Sequence, residues 1–295
     1  MDALTAGVQA VIESQTGVGA SVVSRSSCGG GCINQAEIFE LADGRRFFVK
    51  SNSNFGSDFF AKELLGLQAM AATDTVNVPE VVGSGRVTGG VHFLILQAID
   101  SAAPSPDFSE TLGRQLARMH RAESGVQRFG FGEDNFLGSS AQPNAWCESW
   151  AEFWVQQRLG FQFSLARKNG YGETSFNDLA ERLLSRVSEL VSTSEPPALI
   201  HGDLWSGNYM VGGHGQPVLI DPAVYYAHRE AEFGMTTLFG GFDDRFYVAY
   251  QEVWPLPDGS TDRITIYRLY HLLNHLNLFG SSYRSQCLEI MKRYS

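Results

Sequence analysis

The sequence predicts an α+β fold with two lobes. Residues 1–99 would form an N-lobe with a five-stranded antiparallel sheet plus one helix, and residues 100–295 a larger, mainly helical C-lobe. Short apolar runs separated by turn residues fill the first hundred positions, as in antiparallel sheets. The segment DSAAPSPDF, residues 100–108, reads as a linker, and the apolar residues beyond it recur with a helical period. A length of 295 residues allows two such units.

Composition narrows the class of protein. Hydrophobic residues make up 43% and charged residues 18%, which is ordinary for a globular chain. The net charge of −10 argues against a nucleic-acid partner, because no basic surplus is available to neutralise phosphates. No apolar run reaches the roughly 20 residues of a membrane helix, and the start of the chain does not resemble a signal peptide. With four cysteines, we expect a reduced, cytoplasmic protein with no membrane partner, either monomer or homodimer.

The N-terminal region begins with a short amphipathic helix over residues 4–13, followed by three predicted strands. The turn Asp43-Gly44 joins the second strand to the third, which runs from Arg46 to Lys50. Between the first two strands lie Gly29, Gly30 and Gly31. Glycines let a backbone approach a ligand closely and offer N–H groups to phosphate oxygens. A flexible hairpin tip would have the same composition.

Lys50 closes an apolar strand, where a lysine is often just an exposed terminus. The alternative is a buried ammonium that binds nucleotide phosphates and is held by a carboxylate from a helix. A helix predicted over residues 58–72 supplies a candidate, because Glu63 lies among apolar residues where an unpaired carboxylate would be costly. The Lys50–Glu63 pair is therefore expected only if the two side chains meet.

Two further strands, VVGSGRV and VHFLILQAI, complete the predicted sheet. If the linker follows, the backbone of Gln97 to Ile99 would face an adenine edge. In the C-lobe, Ser109 is the expected N-cap of a helix, and residues 146–168 and 176–193 are expected to form two more. The polar stretch between the first two helices, FGFGEDNFLGSSAQPNAW at residues 129–146, is long enough to predict either a functional loop or one packed by its own aromatic residues.

The most informative stretch is LIHGDLWSGNYMV, residues 199–211, followed by VLIDPAV, residues 218–224. It presents Asp203, then Asn208 five residues later, then Asp221 after an apolar run. Oxygen-bearing side chains suit a hard cation such as Mg²⁺. A carboxylate that accepts a proton, an Asn five residues on and a later Asp match the protein-kinase layout of catalytic base and two metal ligands. Asp, Asn and Gly are also common turn formers, which is the simpler interpretation of each one alone.

Together these residues resemble the fructosamine kinase (ketosamine-3-kinase) family, a small-molecule branch of the two-lobed protein-kinase-like fold related to aminoglycoside and choline kinases. The resemblance covers nearly the whole chain. It is carried by GGGCINQ, FVK, FGFGEDNFLGSSAQPN, HGDLWSGN, IDPAVYYAHREAEFGMTTLFGGF and LYHLLNHLNLFG. Two positions depart from the family pattern: Ala227, where Gly is usual, and Gln97, where an acidic residue usually precedes the hinge.

The resemblance implies an ATP- and Mg²⁺-dependent kinase that phosphorylates the 3-hydroxyl of a ketosamine. Asp203 would accept the proton, Asn208 and Asp221 would hold Mg²⁺, and Lys50, held by Glu63, would bind the α- and β-phosphates.

Gly29, Gly30 and Gly31 would cover those phosphates, and Trp205 would form a wall of the ketosamine site, unless it is simply a packed tryptophan. The product would eliminate and release the amine, so that the enzyme would act in deglycation. Ribulosamines, erythrulosamines and fructosamines, free or on protein lysines, all stay open.

Two other readings compete with this one. A kinase of aminoglycosides or choline is disfavoured by FGFGEDNFLGSSAQPN and DPAVYYAHRE. A kinase-like binding module without activity would lack one of Lys50, Asp203, Asn208 and Asp221, and all are present.

Two cysteines, Cys28 and Cys32, flank the three glycines, and oxidation of either could alter activity through an internal or intersubunit disulfide. Two inert thiols are the alternative.

Overall fold

The computed structural model describes residues 2–29, 34–53, 59–192 and 194–295. An antiparallel five-stranded sheet occupies the N-terminal part, with strand order β1-β2-β3-β5-β4. The strands are β1 (Val22–Ser27), β2 (Gln35–Leu41), β3 (Arg46–Asn52), β4 (Val81–Arg86) and β5 (His92–Gln97). The predicted sheet is confirmed, and its third strand continues two residues beyond Lys50.

Two helices cover opposite faces of this sheet: α1 (Ala3–Thr16) and α2 (Phe59–Ala71). Side chains alternate along β3, so Phe47 and Val49 pack in the cluster that contains Val8 and Ile12 of α1. Phe48 and Lys50 therefore point to the other face, which α2 covers. The N-terminal helix, also predicted, thus joins the sheet, and the lobe carries one helix more than the single one expected. The alternation of β3 is what aims Lys50 at α2.

The C-terminal part is mainly helical, with short two-stranded sheets. Its helices are α3 (Phe108–Arg121), α4 (Trp150–Phe153), α5 (Gly160–Ala166), α6 (Thr174–Leu190), α7 (Phe233–Thr236), α8 (Asp244–Val253), α9 (Ser260–Phe279) and α10 (Arg284–Tyr294), with π-helical turns at Trp154–Leu159 and Arg167–Tyr171. Its strands are β6 (Asn135–Leu137), β7 (Ser140–Gln142), β8 (Ala198–Ile200), β9 (Tyr209–Val211), β10 (Pro217–Leu219) and β11 (Tyr225–Ala227).

Two predicted helix starts are wrong. Ser109 is not an N-cap: α3 begins at Phe108, one position earlier, and the Ser109 hydroxyl donates to Asp243 Oδ2 at 3.1 Å. The long helix begins at Trp150 and not at residue 146, because the preceding residues pair with other parts of the chain, as in the bridge between Phe129 and Cys147. Both helix starts thus depend on contacts with residues distant in the sequence.

Aromatic residues of the irregular helix from α4 to α5 fill the C-lobe core. Trp150, Phe153, Trp154 and Phe163 are each at most 3% exposed, and the Trp150 and Trp154 ring centroids lie 5.2 Å apart. These large side chains pack within the main hydrophobic cluster of the lobe, together with residues of α6, α9 and α10. Among the described residues, no helix combines the length and apolar character needed to cross a bilayer.

Candidate active site

The three oxygen-bearing residues of the central motif are brought together by the β9–β10 hairpin. Tyr209 pairs with Leu219 across this hairpin, and the Ile220 N–H donates to the Asn208 carbonyl at 3.0 Å. Asn208 precedes one strand and Asp221 follows the other, so both lie at the same end of the hairpin. Their separation in sequence therefore does not separate them in space.

Asn208 is buried and connects the two aspartates. Its Nδ2 donates to Asp203 Oδ2 at 3.2 Å and to the Asp203 carbonyl at 2.9 Å, and it lies 3.5 Å from the Asp221 carbonyl. Because the amide nitrogen faces Asp203, the Asn208 Oδ1 atom is not used in these bonds and is available as a ligand.

The buried imidazole of His201 fixes the backbone at Asp203. Its Nε2–H donates to the Ile220 carbonyl at 2.9 Å, which makes Nδ1 the acceptor for the Asp203 N–H at 3.3 Å. Burial lowers the pKa of His201, in agreement with this neutral tautomer. Gly202 adopts φ +83°, and a Cβ there would lie 2.1 Å from the Ala223 carbonyl oxygen, so this turn requires glycine.

Asp203 lies in surroundings that increase its proton affinity. Burial raises the pKa of its carboxyl well above the ordinary value, the charges of Asp221 and Glu232 raise it further, and the Asn208 hydrogen bond opposes them. A carboxylate with a raised pKa is a stronger base than one in water. The geometry and the electrostatics at Asp203 therefore both suit proton abstraction.

Lys50 and Glu63 form an ion pair, which satisfies the Glu63 carboxylate within its apolar helix. The Lys50 Nζ atom lies 2.7 Å from Glu63 Oε1 and also contacts Asp221 Oδ1. Burial alone would lower the pKa of Lys50, but the charges of Glu63 and Asp221 outweigh it and raise that pKa, so the ammonium is retained. The side chains of Lys50 and Glu63 are about one-tenth exposed, whereas Asp221 is 45% exposed and open to the cleft.

Asp221 has an unusual backbone. Its φ is +54°, a left-handed conformation that non-glycine residues seldom adopt, although Asp tolerates it better than most. Such conformations persist where the surroundings fix them, and they cluster at functional sites. Here the Ala223 N–H, just beyond, donates to the His201 carbonyl at 2.9 Å, which ties this turn to the Asp203 loop.

The structure describes most, but not all, of the remaining predicted residues. The Gln97 N–H donates to the Glu80 carbonyl at 2.8 Å, so that amide belongs to the sheet, while Ile99 lies half-buried against Gly212. Trp205 is 39% exposed, and its ring lies over Gly207, so it is not a packed core tryptophan. Cys28 and Gly29 directly follow β1, whereas Gly30, Gly31 and Cys32 lie outside the described residues.

Sequence reasoning missed Glu232. This carboxylate is 1% exposed and accepts the backbone N–H groups of His201 at 2.6 Å and Gly202 at 3.1 Å. It also lies 3.4 Å from His120 Nε2. An acid within the apolar run AEFGM was the signal available, by the same argument that selected Glu63.

Comparisons with known proteins agree with this architecture. A family model described as fructosamine kinase matches residues 4–295. The chain is 42% identical to the chloroplastic protein-ribulosamine 3-kinase of Oryza sativa subsp. japonica, over 94% of this chain and 80% of that protein. It is 40% identical to a probable ketoamine kinase of Synechocystis, over 96% and 94% of the two chains.

Among solved structures, a candidate fructosamine-3-kinase from Thermobifida fusca superimposes with a TM-score of 0.85 at 33% identity, covering 97% of both chains. Aminoglycoside phosphotransferase APH(4)-Ia, in a ternary complex with AMP-PNP and hygromycin B, superimposes with a TM-score of 0.68 at 15% identity, covering 97% of this chain and 98% of that one. This second likeness shows the kinase-like fold alone. The chain thus belongs to the fructosamine kinase family, has the two-lobed α+β kinase-like fold, and is a kinase.

Proposed function

We propose that this kinase transfers the γ-phosphoryl group of ATP to the 3-hydroxyl of a ketosamine, with residues 1–99 binding the nucleotide and residues 100–295 carrying catalysis and the acceptor site. The observation that carries the proposal is the convergence of Lys50, Asp203, Asn208 and Asp221 at one cleft. Phosphoryl transfer needs positioning and charge neutralisation more than covalent chemistry, and these groups can supply both.

On the nucleotide side, the Lys50 ammonium would bind the α- and β-phosphates. Its pairing with Glu63 supports this, because the ion pair keeps the ammonium charged and aimed at the cleft. The Ile99 amide is a better candidate for the adenine edge than that of Gln97, whose N–H donates to Glu80. Gly29 would begin the loop over the phosphates, and Gly30 and Gly31 keep their predicted role in it. The AMP-PNP complex of APH(4)-Ia supports an ATP ligand by analogy of fold.

The donor set at the end of the β9–β10 hairpin fits a magnesium ion. It offers the Asp221 carboxylate, which is 45% exposed, and the Oδ1 atom of Asn208, and Mg²⁺ prefers such oxygens, usually keeping several waters. When bound with ATP, Mg²⁺ would neutralise charge on the phosphate oxygens. Asn208 would then serve twice, holding Asp203 through its nitrogen and the metal through its oxygen.

On the acceptor side, Asp203 would take the proton of the attacking hydroxyl. Its backbone is held by His201 and its side chain by Asn208, so the free carboxylate oxygen has a fixed direction. Trp205, two residues on and partly exposed, would form an aromatic wall for the sugar or its linker. The printed names of the plant relatives favour a ribulosamine on protein, and a fructosamine or erythrulosamine acceptor would use the same groups. Release of the amine from the unstable 3-phosphate would make the reaction a deglycation.

Three other expectations stay predictions: the location, the oligomeric state and the redox role of two cysteines. The rice and Arabidopsis relatives are named as chloroplastic, so their names do not support the cytoplasmic location expected here. A monomeric or homodimeric state also awaits measurement. A disulfide at Cys28 or Cys32 would be tested by assaying activity before and after reductant, with Cys32→Ser as the control.

The decisive experiment is an acceptor panel. ADP formation is measured with ribulose-lysine, erythrulose-lysine, fructose-lysine and a glycated protein, with an aminoglycoside and choline as controls. We expect ketosamine-dependent turnover, a phosphate on the 3-oxygen by NMR, and none with Asp203→Asn, which should still bind nucleotide. Turnover with the aminoglycoside or choline alone, or full activity in Asp203→Asn, would overturn the proposal.

A further inference from the structure

Helix α2, which carries Glu63, contacts the C-lobe along one stripe. The Phe59 ring lies 4.9 Å, centroid to centroid, from Phe136 in the β6–β7 hairpin. One turn later, Lys62 pairs with Glu133 at 2.5 Å. Glu133 is more than half exposed, so this ion pair contributes little, and the aromatic contact is the main one at this end of the helix.

The second contact is made by Gly66 against the segment that follows Asp221. A Cβ added at Gly66 would lie 3.1 Å from Pro222 Cγ and 3.5 Å from Val224 Cγ2. The backbone of α2 therefore lies close to residues 222–224, which follow Asp221. A side chain at position 66 would contact Pro222 and Val224. Phe59 and Gly66 are seven residues apart, so the two contacts lie on the same face of α2, two turns from each other.

Both contact points belong to one rigid unit of the C-lobe. The Nδ2 of Asn135, next to Phe136, donates to the Val224 carbonyl at 2.8 Å, and Gln142 Nε2 donates to the Ala223 carbonyl at 3.0 Å. The fully buried Arg158 donates to Asn144 Oδ1 at 2.7 Å. This bond fixes the loop of residues 129–146, which contains the β6–β7 hairpin, to the core. The β6–β7 hairpin and the segment after Asp221 therefore hold α2 as a pair, and Glu63 lies between the two contact points.

We propose that Phe136 and Gly66 are positioning residues for phosphoryl transfer. They hold α2 at the distance from the Asp221 segment at which Glu63 reaches Lys50, so that the Lys50–Glu63 pair stays assembled without a separate activation step. The inference rests on the proposed function in one respect, that Lys50 binds the nucleotide phosphates. In this proposal neither residue contacts the nucleotide, and both act through Glu63.

Gly66 allows positioning to be separated from stability. Glycine inside a helix is less favourable than alanine or leucine, because it loses more conformational freedom. If Gly66 had no positioning role, Gly66→Ala would leave nucleotide binding unchanged and would preserve or raise the melting temperature. If the close approach matters, α2 must move by a few tenths of an ångström, and binding weakens although the helix itself gains stability. Ala61→Leu, on the exposed side of α2, is the matched control for added bulk.

The test uses the whole enzyme with Phe136→Ala, Gly66→Ala, Gly66→Leu and Ala61→Leu. The measurements are the Kd of Mg·ATP without acceptor, KM for ATP and for the ketosamine, the melting temperature, and hydrogen exchange of residues 60–71. We expect Phe136→Ala to raise the Kd and KM for ATP about two- to tenfold, the range that an aromatic pair contributes, with the acceptor KM unchanged. Hydrogen exchange in α2 should accelerate. Gly66→Leu should weaken ATP binding at least as much, and Ala61→Leu should not.

Unchanged ATP binding in Phe136→Ala and Gly66→Ala would overturn the inference. So would an equal rise of both KM values, or a fall in kcat alone with a lower melting temperature, since these report a merely structural role. Gly66→Ala and Phe136→Ala carry the test if Gly66→Leu fails to fold. Failure of wild-type turnover with every ketosamine would count against the proposed function. The ATP-binding and hydrogen-exchange measurements would still test whether Phe136 and Gly66 position α2.

Discussion

Replacing Glu232 should weaken both the fold and the catalytic loop. The carboxylate is 1% exposed and accepts the N–H groups of His201 and Gly202 at 2.6 and 3.1 Å. Each buried donor left without a partner costs about 1–3 kcal/mol, so Glu232→Ala should lose about 2–6 kcal/mol. That is a large fraction of a typical stability of about 5–15 kcal/mol. Glu232→Gln keeps one acceptor oxygen and should lose about half as much.

The catalytic effect follows from the position of these amides, which directly precede Asp203. Loss of one acceptor would let the loop shift, and misplacement of a catalytic group by about 1 Å can cost about a hundredfold in rate. We expect the kcat of Glu232→Gln to fall about ten- to a hundredfold, with the Kd for Mg·ATP nearly unchanged. Stability is measured by urea unfolding, and kcat well below the melting temperature of each variant.

Glu230→Gln is the matched control. Glu230 is equally buried, but it pairs with Arg263, at 2.6 and 2.7 Å, and not with the loop. Both variants should lose stability, and only Glu232→Gln should lose most of its turnover. Equal kcat values in the two variants, or a wild-type kcat in Glu232→Gln, would refute the role assigned to Glu232.

Three further predictions concern pH, substrate and metal. Burial lowers the pKa of His271 to about 3, whereas the same imidazole in the unfolded chain binds a proton near pH 6.5. This group alone should therefore lower the free energy of unfolding by about 2 kcal/mol from pH 7 to 5. Burial also lowers the pKa values of His120, His201 and His275, so His271→Asn should remove only its own share of that pH dependence in urea titrations. Trp205→Ala should raise the KM for the ketosamine about tenfold or more and leave that for ATP unchanged, whereas equal changes in both would contradict an acceptor-side wall. Chelation of Mg²⁺ should weaken ATP binding in the wild type, because the metal would offset the charge of the phosphates. Calorimetry on Asp221→Asn should show little dependence on metal, and a full metal effect in that variant would exclude Asp221 as a ligand.

The parts of the site that could be predicted from sequence have local or electrostatic causes. Asp203, Asn208 and Asp221 flank one short hairpin, so their proximity follows from strand pairing. Lys50 and Glu63 lie in different elements, but a carboxylate within an apolar helix needs a cation, and that requirement identified the pair.

What could not be predicted depends on partners distant in the chain. The apolar run AEFGM indicates that Glu232 needs a partner, but its partners are backbone amides, which the sequence does not identify. Ser109 has the composition of an N-cap, but its hydroxyl is bonded to Asp243, 134 residues away. That the backbone of Gln97 to Ile99 faces an adenine edge stays a prediction, but the hydrogen bond from the Gln97 N–H to the Glu80 carbonyl, just before β4, could not be predicted from local sequence. In each case a hydrogen bond to a residue distant in the sequence determines the local structure.

The charges at the cleft explain how an acidic protein can bind a polyanion. Lys50 faces the carboxylates of Glu63 and Asp221, and the buried carboxyl of Asp203 lies beside them. Without a metal cation, these carboxylates would repel the phosphates of ATP. Mg²⁺ bound to Asp221, as proposed above, would offset that repulsion and would also reduce the effect of the Asp221 charge on the pKa of Asp203. The net charge of −10 would then be compatible with nucleotide binding, because the proposed metal would supply positive charge beside the phosphates.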